Sequence, residues 1–253
     1  MLFLGTGTSH GVPMIGCDCA VCRSEDPRDE RLRPSIYLEL DDALRVLVDT
    51  TPDLRTQALR HGVREVHAVL FTHAHADHVM GLDELRRFNV LSRQALPAYG
   101  DERTLDDLRR MFAYAFSPDT PKGGGVPDVR LWRVGGRFSL GRQEVTPIPI
   151  MHGQRPILGF RIGAFAYLTD CNRIPDASWP LLEGLDVLVL DALRRRPHPT
   201  HFTLDEAVVV AQRIGARQTF FTHIAHDLGH AATSAALPLG ITLAHDGLSV
   251  ECR

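Results

Sequence analysis

The chain has 253 residues, 23% of them charged and 44% hydrophobic, with a formal net charge of −3. That length buries a sizeable core, the slight acidity argues against a general nucleic-acid binder, and no apolar run approaches the ~20 residues of a membrane span. Met1 leads straight into Leu2-Phe3-Leu4 without a basic region and a long apolar core, so a cytoplasmic location is expected.

In chain order, Leu2 to Leu4 reads as a short strand running into Gly5-Thr6-Gly7-Thr8-Ser9. The glycine pattern lacks the Gly-Lys ending of a phosphate-cradling loop and precedes no clear helix, so a tight strand-to-loop turn is expected. Cys17, Cys19 and Cys22 follow within six positions, and the total of five cysteines is odd. A C-x-C-x-x-C cluster of this kind suits metal binding in a reducing compartment better than disulfides. Ser35 to Leu40 and Leu44 to Val48 read as strands, and Leu54 to His61 as a helix.

Ala68 to Phe71 is a buried-strand pattern that ends at Thr72-His73-Ala74-His75-Ala76-Asp77-His78. Zinc helices space two histidines at i and i+4, whereas His73 and His75 are two apart and share a side only in an extended segment or a tight loop. Asp77 and His78 are adjacent and cannot serve the same small ion from that direction. Two neighbouring metals are the simplest resolution.

Leu82 to Leu91 reads as a helix, and Phe116 to Asp128, rich in Gly and Pro, as a long loop, either a surface excursion or a lid. Three later strands repeat the delivery of a ligand at a strand end. Val145 to Ile150 leads to His152, Phe165 to Leu168 leads to Asp170, and Thr219 to Phe221 leads to His223. Val187 to Leu190 ends similarly at Asp191, which suits a hydrogen bond to a metal-bound His or an ordinary strand end. Thr203 with Glu206 forms a capping box that starts another helix. Strands and helices mixed along the chain, with no repeat and no linker, predict one α/β layered domain over residues 1–253.

The order H-x-H-x-D-H, lone His, lone Asp, third His resembles the metallo-β-lactamase superfamily over nearly the whole chain. That resemblance implies an αββα sandwich, two mixed sheets face to face with helices outside. It also implies a ligand set: His73, His75 and His152 for one divalent ion, Asp77, His78 and His223 for a second, and Asp170 bridging both. Zinc, manganese or iron suits such donors, with zinc or manganese expected. His75 sets the pattern apart from the diiron flavoproteins of this fold, which resemble it with Glu there.

The N-terminal glycine and cysteine motifs are similar to those of the phosphoribosyl cyclic phosphodiesterases of bacterial phosphonate breakdown. By that resemblance Cys17, Cys19 and Cys22, in a loop at 16–22, would join His226 around a structural zinc. His201 would be the general acid at the leaving oxygen, with His198 the competing candidate, and Asp77 and His201 are the expected catalytic residues. His10, His61, His67, His230 and His245 match no ligand position.

The expected function is therefore a dinuclear phosphodiesterase for a small cyclic or nucleotide-like substrate. Rivals are a thioesterase or lactonase of the same fold, a tRNA 3′-end nuclease, and a non-catalytic accessory protein of cofactor synthesis. Stable nucleic-acid or membrane binding is not expected, and the family often forms homodimers.

Overall fold

The computed structural model describes residues 1–120 and 125–252. The first half builds a six-stranded sheet from β1 (Leu2–Gly5), β2 (Ser35–Glu39), β3 (Arg45–Val48), β4 (Ala68–Leu70), β5 (Leu96–Gly100) and β6 (Val129–Arg133), in that spatial order. The second half builds a seven-stranded sheet from β7 (Phe138–Leu140), β8 (Gln143–His152), β9 (Arg155–Ile162), β10 (Phe165–Leu168), β11 (Val187–Asp191), β12 (Gln218–Thr222) and β13 (Ile241–Leu243). Each sheet begins as an antiparallel meander and continues with parallel strands, β3 to β6 and β10 to β13. Parallel neighbours need crossovers. In the first sheet these carry α1 (Leu54–His61), α2 (Ala76–Val79), α3 (Leu85–Ser92), α4 (Glu102–Met111) and α5 (Ala113–Phe116). In the second they carry a 3-10 segment (Asp176–Leu182), α6 (Leu204–Ile214) and α7 (His230–Ala236).

Side chains two apart share a face, and here both faces are apolar. Val46, Val48, Leu70, Tyr167, Val189 and Phe220 meet between the two sheets. Leu47, Val69 and Ala98 point the other way, toward Leu54 of α1, Leu85 of α3 and Leu105 of α4. Leu168, Leu190 and Phe221 pack under α6 through Ala207 and Ala211. The result is the αββα sandwich, and strands buried on both sides explain the unbroken apolar runs in the sequence.

Several local outcomes differ from the sequence reading. Asp77 and His78 lie in the one-turn α2, where an extended run or a loop is expected. The His78 and Val79 amides donate to the His75 carbonyl (3.0 and 3.1 Å), and Val79 is anchored in the core, which turns the chain back over the strand end. The helix expected at Leu82 to Leu91 divides into a 3-10 turn (Leu82–Glu84) and α3. Strand β9 is disguised by Pro156 and Gly159. A Cβ at Gly159 would stand 2.4 Å from Leu168 Cδ2 and 2.8 Å from the Tyr167 carbonyl oxygen, so glycine there permits the close approach of β10.

The capping box of α6 is formed: the Glu206 amide donates to Thr203 Oγ1 (3.2 Å) and the Thr203 amide to Glu206 Oε2 (2.8 Å). Within the loop expected over 116–128, residues 121–124 lie outside the described residues. Among the described residues no helix is long and apolar enough to cross a membrane.

Candidate metal centre

Parallel strands finish on one edge of each sheet, and ligands gather where such strands end. His73, His75, Asp77 and His78 follow β4, His152 closes β8, and Asp170, Asp191 and His223 follow or end β10, β11 and β12. One set of donor atoms, from His73, His75, His152 and Asp170, lies within 4.8 Å of one another. A second set, from Asp77, His78, Asp170 and His223, meets the same limit and shares Asp170. His78 Nε2 stands 3.1 Å from Asp170 Oδ1, and His223 Nε2 stands 3.2 Å from Asp170 Oδ2 and 3.4 Å from Asp77 Oδ2. His75 is at the open edge; the other six ligand side chains are buried.

Whether these residues fit a pair of ions is answered by the outer ring nitrogens. His78 Nδ1 is 2.8 Å from the Asp49 carboxylate, His152 Nδ1 is 3.0 Å from the Thr200 carbonyl, and His73 Nδ1 is 3.1 Å from Thr72 Oγ1. Each ring is thus held by one nitrogen with the other aimed inward, as metal-ligating histidines are. The inward Nε2 atoms of His73 and His78 are buried and make no hydrogen bond. Orphaned buried nitrogens are costly, and a cation at the centre would satisfy both. The donor set fits zinc or manganese.

Burial resists charge throughout the cluster, yet Asp170 is held well below the usual carboxylate range by the neighbouring His223 and His78. Burial likewise opposes ionisation of Asp77, but His78 and His223 keep it ionised. His73, buried and beside His78, is held neutral. The backbone is strained here as well. Asp49 (φ 63°), Asp170 (φ 58°) and His223 (φ 59°) occupy the left-handed region that non-glycine residues avoid, a cost sustained by the surrounding packing.

His201 lies on the connection from β11 to α6, where its ring stacks on His223 at 4.6 Å and meets the His152 ring edge-on at 4.8 Å. Its Nδ1 donates to Asp191 Oδ1 (3.0 Å), and the Phe202 amide donates to Asp191 Oδ2 (3.0 Å). Burial works against the imidazolium, but the Asp191 charge and hydrogen bond lift His201 to about 9. His198 stands 5.0 Å away, ring to ring, tied to Thr200.

Asp49 was not singled out from the sequence. The signal was present in "RVLVD", an apolar strand ending in a carboxylate, the pattern that also delivers Asp170 and Asp191.

The second cluster is separate. Cys17, Cys19 and Cys22 place Sγ atoms 3.1, 3.4 and 3.6 Å from His226 Nδ1, all four residues are half-buried, and the thiols are free. The Cys22 amide donates to Cys19 Sγ, which together with the nearby thiols pulls Cys19 down to about 6, while burial pushes Cys22 up to about 11. Three thiols converging on one imidazole nitrogen match a closed tetrahedral zinc donor set. His10 and His67 are exposed and His230 bonds the Leu243 carbonyl; neither they nor His61 and His245 join a cluster.

Four layers with a His/Asp cluster at the strand ends define a metallo-β-lactamase fold. A model of the beta-lactamase superfamily domain matches residues 44–224, and the chain belongs to that superfamily. The chain is similar to a crystal structure described as a new diphosphatase from the PhnP family, at 48% identity and a TM-score of 0.92 over 100% of this chain and 97% of that one. It is 38% identical to an octanoyltransferase of Porphyromonas gingivalis over 98% of this chain, and spans only 50% of that relative's length. It is also 28% identical to a coenzyme PQQ synthesis protein B of Methylorubrum extorquens, over 76% of this chain and 72% of the relative.

Proposed function

We propose that the chain is a metal-dependent phosphodiesterase acting on a small cyclic or nucleotide-like substrate, with His201 as general acid. The buried Asp191–His201 pair carries this reading: an imidazole fixed by a carboxylate is held against two of the cluster's histidines, where a leaving oxygen needs a proton. Two divalent ions shared through Asp170 would supply Lewis acidity and an activated water at phosphorus. Asp191 fixes His201 by Nδ1, which leaves Nε2 as the ring atom available to a substrate. Asp77 keeps an ionised carboxylate at the centre, an acceptor for a proton from the incoming water. Cys17, Cys19, Cys22 and His226 would hold a separate structural zinc.

The likeness to a protein described as a diphosphatase supports chemistry at phosphorus. A thioesterase or lactonase uses the same centre, but a thiolate departs without a strong acid, and His201 would then have no task. A non-catalytic role in cofactor synthesis, as the PQQ relatives suggest, leaves the same pair unexplained.

The test is turnover of bis(p-nitrophenyl) phosphate beside a thioester and a lactone, after chelation and restoration of manganese or zinc. Phosphodiester hydrolysis is expected, and activity confined to the carboxyl esters would remove the reading. His201→Ala should lower kcat by about 10²–10⁴-fold on a diester with an alkyl leaving group. The loss should be smaller for p-nitrophenolate, which departs with little help; equal losses would assign His201 to packing.

A further inference from the structure

The helical layer over the first sheet is not closed. Between α1 and α3 lies a groove of about 920 Å³, bordered also by residues 63–67, the segment that leads into β4. Leu54, Val63, Val66 and Phe88, all core residues, form its floor. Leu59 on α1 and Leu91 on α3 stand at its lips, 67% and 50% exposed. Two exposed leucines facing one groove over an apolar floor mark a surface that a partner covers. No ligand of the His/Asp or the Cys/His cluster lines it.

The charge along the groove is biased. Arg55, Arg64, Arg86 and Arg87 line it against two carboxylates, Glu65 and Glu84. Arg86 is paired with Asp83 at 3.0 Å. Arg55, Arg64 and Arg87 are exposed, and among the described residues no carboxylate lies within 4.0 Å of any of them. His67, also on the wall, accepts the Arg45 amide at Nδ1 (2.9 Å). The groove is therefore net positive on a chain whose formal net charge is −3. Unpaired guanidiniums on both walls favour a partner that brings carboxylates.

We infer that this groove docks one amphipathic helix of a partner protein, with leucine-like side chains turned to the floor and carboxylates along its flanks. Two helices as walls leave a concave seat that suits a third helix laid between them, anchored at positions i, i+3, i+4 and i+7. A bilayer surface does not reach a floor recessed below two helices, and a small ligand's site closes around its occupant, whereas here the lips themselves are apolar. The Porphyromonas gingivalis relative has a neighbour of this kind in its own chain: its likeness to this protein fills 50% of its length, and the other half is attached to it. Docking here leaves the His/Asp cluster open and does not depend on which bond that cluster hydrolyses.

The test titrates the full-length chain into a fluorescein-labelled peptide of about five helical turns, built of Leu, Glu and Ala with leucines at the anchor spacing and glutamates beside them. Anisotropy should show saturable binding that weakens as salt rises from about 0.05 to 0.5 M. The double variant Arg55→Glu, Arg87→Glu should weaken it about 10-fold or more, because two attractions become repulsions. Leu59→Asp should weaken it by a similar factor through the apolar lip. All three side chains are exposed, so both variants should keep the wild-type melting temperature. A peptide of the same composition with scrambled spacing, and one with lysine in place of glutamate, should each bind about 10-fold more weakly or worse. No binding of the first peptide, or affinities within about twofold of wild type in both variants, would overturn the inference. Two further results would overturn it by naming another occupant: phosphatidylserine vesicle binding, or a concentration-dependent dimer in sedimentation, that the double variant abolishes.

Discussion

The two clusters are built by opposite means. The seven ligands of the His/Asp cluster come from the ends of four strands, β4, β8, β10 and β12, or the turns after them, and six of the seven are buried. The Cys/His cluster draws three donors from one loop and a fourth from the turn after β12, and all four remain half-exposed. In the first case a two-sheet core sets donor positions independently, so the geometry exists before any ion arrives. In the second, the loop is held by local turns such as those from the Cys17 amide to the Met14 carbonyl and the Arg23 amide to the Cys19 carbonyl (both 3.0 Å), and an ion would add to its folding free energy. The clusters meet in one short segment, since His223 and His226 are three residues apart. Buried Arg31 braces that segment by donating to the Ala225 and Leu228 carbonyls (3.1 and 2.7 Å).

The sharpest way to break this comparison is Asp170→Ala. Because Asp170 belongs to both donor sets, its loss should empty both catalytic positions and lower phosphodiester turnover well beyond about 100-fold. Elemental analysis should still find the zinc at the cysteines, and full metal content in the variant would show the cluster is misassigned. Asp49→Ala probes the same side more gently. Removing the carboxylate that holds His78 Nδ1 should weaken metal affinity by about 10- to 100-fold, read by competition with a chelating dye.

Cys19→Ser probes the other side. It should remove one zinc per chain and lower the melting temperature, while turnover per folded molecule falls less than in either carboxylate variant. A variant with unchanged zinc, or native thiols trapped as a disulfide, would remove the structural site.

The smallest effect concerns the scaffold under both clusters. Asp246 accepts from Thr6 Oγ1 and the Leu32 amide (both 2.8 Å), and Thr6 in turn holds Ile224 beside His223. Burial lifts Asp246 to about 7. The folded state therefore favours the protonated carboxyl, and this contribution is complete below the unfolded value of about 3.9 and is lost as pH rises through about 7. Asp246→Asn should gain on the wild type in melting temperature between pH 5 and pH 8. A difference that stays constant with pH would contradict the assignment.

Much of this was legible in the sequence because buried strands are short, apolar and followed abruptly by a charged or ring side chain. His152, Asp170 and His223 stand out for that reason, and the Thr203–Glu206 cap is a local signal. Asp49 escaped notice because an Asp after a strand is common and its partner, His78, lies 29 residues away. The one-turn α2 is dictated by hydrogen bonds to Thr50 and by the burial of Val79, neither of which leaves a local pattern. Strand β6, with Trp132 exposed between two arginines, lacks the apolar signal altogether.

The central claim is that a pre-shaped His/Asp cluster takes two ions and hydrolyses a phosphodiester. Titrating manganese into the chelated chain while following bis(p-nitrophenyl) phosphate hydrolysis and bound metal tests it most directly. The account predicts that activity returns with the uptake of two ions per chain, with the cysteine-held zinc present before the titration begins. Full hydrolysis with the His/Asp cluster empty, or no hydrolysis at any loading, would contradict it.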